Sequence, residues 1–127
     1  MAITSAICSS FKQELLQGKH NFSSSSGDSF KIALFTSSAT LGASTTDYST
    51  SQEITNTSGT AYTAGGKALT NTGVGLTSTT AFTDFSDVSW TSASFTANGA
   101  LIYNTTTGTS TSTTDAVCAI AFGSDKT

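Results

Sequence analysis

Proline and arginine are both missing from this chain of 127 residues, and lysine occurs only five times. Without proline, turns must be made by Gly, Asn, Asp and Ser, which reach left-handed backbone or bond their own main chain. Without a basic cluster nothing can neutralise a phosphate backbone, so a nucleic-acid partner is not expected. An anionic membrane surface is disfavoured on the same ground. Charged residues make up only 10% of the chain and the net charge is −3. Electrostatics therefore give a free monomer little help in staying soluble, and a surface partly covered by partners is the expectation. Long hydrophobic runs are also absent: no stretch approaches the ~20 apolar residues of a membrane span. "MAITSAICSSF" has neither a basic segment nor a long apolar run, so it reads as the start of a cytosolic product and not as a signal peptide.

Cysteine is scarce too. Cys8 and Cys118 are the only two, each in an apolar stretch ("AIC", "AVCAIAF"). They read as reduced, buried thiols, with one bridge between the chain ends as the alternative.

What fills the chain is Ser and Thr, more than a third of all residues. β-Branched Thr suits pleated strands better than helices, and the length suits one domain, residues 1–127. One segment has a different period. In "TSAICSSFKQELLQGKH", Ile7, Phe11 and Leu15 recur every four residues, flanked by Cys8 and Leu16. That stripe predicts a helix over about 5–17, capped by Thr4 or Ser5, stopped at Gly18 and docked through Phe11, Leu15 and Leu16.

Past a Ser-rich turn, "FKIALF" alternates as a strand with both faces covered. "TSSATLGASTTDYSTSQEITNTSG" has no clear period, which predicts a long loop over about 37–60 with a short edge strand near Gln52–Thr55. A loop this long in a compact domain is expected to be functional. Then "GKALTNTGVGLTS", "TAFTDFSDVSW", "ASFTANGALIYN" and "DAVCAIAFG" follow as short strands separated by turn residues. The Thr-rich tract 104–114 is placed as an exposed hairpin loop between the two most apolar strands. The last strand is expected to end in a turn at "GSDKT", leaving an open edge able to pair with another chain. Together these patterns predict a mainly β fold, an antiparallel sandwich or jelly-roll-like domain with one short N-terminal α-helix.

Three constellations invite a chemical reading. "YTAGGKALT" suggests a phosphate cradle, but the first Gly of a P-loop would fall on Ala61 and its magnesium-binding hydroxyl on Ala68. Gly65-Gly66 reads instead as a turn feeding a strand from Lys67. His20, the lone histidine, has no ligand set around it in sequence and reads as a solvated helix-end residue. Asp84 and Asp87 are the nearest thing to a carboxylate pair, and they read as strand-edge and turn residues. Trp90 reads as core, and the three Asn-x-Ser/Thr sequons are what so Ser- and Thr-rich a chain produces by chance. No catalytic residue, cofactor or metal is expected, and the chain is not expected to be an enzyme.

Several quoted segments occur in an order that resembles a known group. "FKQELLQGKHNF", "FKIALFTSSATLGASTTDYS", "YTAGGKALT", "FTDFSDVSW", "GALIYN" and "AFGSDKT" together resemble small virion-associated structural proteins of tailed bacteriophages. The resemblance covers most of the chain. It implies a non-enzymatic virion part made in the host bacterial cytoplasm, foremost a head decoration or cement protein. Such a protein would bind the major capsid protein or another virion protein as a homo-oligomer. A tail or fibre component, or a receptor (glycan)-binding module, is the alternative it leaves. Members of the group continue past "FGSDKT" into a further strand, so a sheet left incomplete within one chain is expected. Candidate partner contacts are Leu41, Tyr48 and Ile54 in the long loop and Thr107 and Thr111 in the Thr-rich loop.

Overall fold

A computed structural model describes residues 2–55, 60–106 and 112–127. The chain is mainly β and antiparallel, with one short helix near its N-terminus, as the period-2 segments predict. Its elements are β1 (Ala6–Ile7), α1 (Ser9–Leu16), β2 (Phe30–Phe35), β3 (Lys67–Leu69), β4 (Asn71–Thr77), β5 (Thr80–Phe85), β6 (Ala97–Asn104) and β7 (Asp115–Lys126). Five strands form one sheet in the order β1-β7-β6-β2-β3, and β4 and β5 pair separately as a two-stranded hairpin. The architecture is sandwich-like, but the second layer is thin. It consists of that hairpin, the helix and the segment carrying Trp90 and Phe95.

β6 sits at the centre because "ANGALIYN" is buried on both sides, and Ala100 and Leu101 are wholly inaccessible. Residues directly opposite across antiparallel strands share a face. Ala33 and Phe35 therefore lie with Leu101 and Gly99 on one face, and Ile32 and Leu34 with Ile102 and Ala100 on the other. The first face is closed by the N-terminal segment and the long loop. Ile3 bridges Leu41, and Tyr48 stacks on Tyr103 at 4.3 Å. A Cβ on Gly99 would stand 2.6 Å from the Ile3 side chain, which is why this position carries none. Toward one end of the second face, Phe22 and Phe30 stack at 4.5 Å; at the other, Tyr62, Trp90 and Phe95 pack against Leu34 and Ala100.

β3 pairs only with Phe30–Ile32 and leaves the rest of the β2 edge to be satisfied by the loop. Leu34 N–H donates to the Tyr62 hydroxyl, Ile54 N–H donates to Leu34 C=O, and Thr36 N–H donates to Gln52 C=O. The edge strand expected near Gln52–Thr55 is thus a single bridge between Phe35 and Glu53, enough to blunt the edge.

Three expectations need correction. The helix starts at Ser9, not near residue 5, because Ala6 and Ile7 extend to pair with Ala119 and Cys118. Cys8, extended, occupies the N-cap without a side-chain cap bond. Phe11 is its buried residue, whereas Leu15 is 47% and Leu16 92% exposed. The stop is as expected: Gly18 takes φ +72°, Lys19 N–H bonds Glu14 C=O and Gly18 N–H bonds Leu15 C=O, the Schellman arrangement. Second, β7 does not end before "GSDKT" but runs to Lys126. Gly123 at φ +81° absorbs the expected turn as a bulge between the Gly99–Ala121 and Ala97–Lys126 pairs. Third, His20 is not solvated. It is 7% exposed and pinned between Glu14 and Asn104.

Candidate interaction surface

The feature that stands out on this molecule is apolar and open. β4 and β5 leave the body as an arm whose base is held by Phe85, packed against Phe30 and Phe22 at ring separations of 5.6 and 6.1 Å. Asn71 fastens the same base, donating to Ser23 C=O and Asp28 C=O. Beyond the base, among the described residues, the arm's strands pair only with each other. Its alternation is apolar against glycine: Gly75 lies opposite Phe82, and a Cβ there would stand 2.5 Å from the Phe82 ring. Phe82 lies over that gap and is still 50% exposed, with Val74 at 67% and Leu76 at 71%.

Between this arm and α1 runs a groove of about 760 Å³. Ile102 and Cys118, partners across β6 and β7, share the sheet face that forms its floor. Ile7, Phe11 and Leu15 line the helix side, and Val74, Leu76 and Phe82 line the arm side. Among the described residues no charged side chain lines it. Cys118 is a free thiol, pushed up to about 11 by burial and secondarily by Cys8, so it rests protonated as an apolar surface group.

The long loop is built differently. Glu53 is buried there, its carboxylate accepting from the Tyr48 and Tyr62 hydroxyls at 2.5 Å each and from Gly65 N–H at 2.7 Å. Tyr103 in turn donates to Gly65 C=O at 2.7 Å. Burial and the bond to Glu53 push the Tyr48 and Tyr62 phenols well above their ordinary range. The loop around them encloses a smaller, polar depression of about 450 Å³.

Of the residues singled out in this loop, Leu41 is half-buried and lines that depression, Tyr48 is half-buried in the Glu53 network, and Ile54 is 6% exposed. Ile54 therefore belongs to the core and offers no outward contact. Thr107 and Thr111 lie outside the described residues. Asp84 is exposed and bonds the next amide, Asp87 is exposed in the following loop, and His20 is buried beside the helix. The structure does not bring these three together in the groove or the loop depression. Gly65 and Gly66 take φ +94° and +84° ahead of β3, as the turn reading requires. Trp90 is half-buried, with Tyr62 at 6.0 Å and the Lys67 ammonium 5.4 Å from its ring centre.

The exposed residues of the arm were not singled out by sequence. Their signal was the run "GVGL", in which glycine takes the places where a half-buried strand has polar residues. Comparison with family models, curated proteins and solved structures returns no match.

Proposed function

We propose that this chain is a structural component of a bacteriophage virion, a capsid decoration or cement protein that binds the head exterior and bridges neighbouring subunits. The observation that carries this reading is the charge-free apolar groove and arm on a body otherwise surfaced by Ser and Thr. Soluble monomers rarely leave so continuous an apolar surface open unless it is an interaction site. The resemblance of the quoted motifs to virion-associated proteins points the same way. Work is done by burying surface, and many copies acting together make modest individual contacts hold. A glycan-binding module would present a free aromatic face, and the rings of Trp90 and Tyr48 are instead engaged by neighbouring side chains.

The test is stoichiometry. Quantitative mass spectrometry of purified particles of the phage encoding this chain should find it in a fixed ratio to the major capsid protein. One or a few copies per particle would sink the decoration role.

A further inference from the structure

We infer that the β4–β5 arm and the groove beside it form a homotypic interface, in which a second copy of this chain lays its arm into the groove of the first. The arm's own fold makes the first argument. A two-stranded ribbon is at best marginally stable in water and needs a third strand or a packed face. Among the described residues β4 and β5 have no third strand. Gly73 and Gly75 weaken the ribbon further, since they give a strand no side chain to pack.

Area is the second argument. The exposed parts of Ile7, Leu15, Val74, Leu76 and Phe82, all of which line the groove, come to on the order of 500 Å², about what one partner of a small, weak interface buries. The arm side supplies projecting side chains and the helix side an apolar wall. One chain thus carries both halves of a self-complementary contact, as a two-fold interface requires. Charge is the third. Among the described residues the lining holds no ionisable group but the protonated Cys118 thiol, so a copy seated there desolvates no ion, and a net charge of −3 repels its like only weakly.

This interface assigns to contact between copies the same apolar surface that supports the virion reading, and it stands whether or not the chain is a virion part. The purified chain of 127 residues tests it without particles, whereas copy number per particle tests the virion role alone. Light scattering coupled to size exclusion should find the parent as a dimer or small closed oligomer. Leu76→Asp and Val74→Asp, at positions 71% and 67% exposed, should each give a monomer with an unchanged circular dichroism spectrum. Hydrogen exchange should show arm amides protected in the parent and exchanging at least tenfold faster in Leu76→Asp. A parent that stays monomeric at ~100 µM, a concentration that would populate even a weak micromolar dimer, overturns the inference and leaves the groove to a different protein. An oligomer that survives both substitutions overturns it too.

Discussion

At Glu53 two phenols and a backbone amide converge on one buried carboxylate, which ties the long loop to the β2 edge and to the turn before β3. An unpaired carboxylate at 9% exposure would be costly, and three donors make it tolerable. The phenols carry a pH consequence. In the unfolded chain a tyrosine ionises near pH 10. Folded, Tyr103 is pushed up to about 12 by burial and by the nearby Glu53 charge, and Tyr48 and Tyr62 are pushed higher still. Between those limits the unfolded chain has released protons that the folded chain retains, so rising pH favours unfolding. The contribution is intact below the unfolded value and lost as pH climbs through the folded ones. Thermal scans should show Tm falling from about pH 10 upward, with tyrosinate absorbance appearing together with unfolding. Tyrosinate forming at that pH in a chain still folded would contradict the buried network. None of this was visible in the sequence, because Tyr62 and Tyr103 meet Glu53 and Gly65 only once the strands pair. His20 was misread for the same reason. Asn104, which buries it, is 84 positions away.

Among the elements, those with local signals were legible. β2, β6 and β7 alternate plainly, the Schellman stop at Gly18 follows from glycine after a helical stripe, and Gly65-Gly66 marks the entry to β3. The helix start was not legible. Ile7 completes the stripe Ile7–Phe11–Leu15, yet its backbone is claimed by Cys118 across the sheet, a partner outweighing local period. The isolation of β4 and β5 was hidden likewise, since their alternation states that they are strands but not which neighbour they lack. The turn before β3 gives the sharpest test at this scale. A Cβ on Gly66 would stand 1.9 Å from Ile32 C=O, and φ is +84° there, so backbone must move and β3 must lift from β2. Gly66→Ala should cost on the order of 3 kcal/mol or more in denaturant unfolding. Gly18→Ala, left-handed but in open space, should cost only about 1 kcal/mol. Equal effects of the two substitutions would mean that β3 is not seated as described.

The molecule as a whole separates two kinds of surface. Ser and Thr cover most of it without charge, while the larger exposed apolar side chains gather along the arm and helix. That division sets how association should respond to solution conditions. An interface held by ion pairs weakens as salt screens it, over a Debye length of about 8 Å at physiological strength. Among the described residues the groove has no ionic contact to lose. Raising sodium chloride from low to physiological strength should therefore leave the self-association constant within about twofold. Sulfate, excluded from protein surface, should tighten it. Association should also carry a negative heat-capacity change, the mark of apolar burial. Sedimentation equilibrium across a salt series reads the first two effects, and dilution calorimetry at several temperatures reads the third. Copies that part steeply as sodium chloride rises would place the contact on the sparse charged positions of the chain, such as Lys12 and Glu14 of α1, and away from the arm.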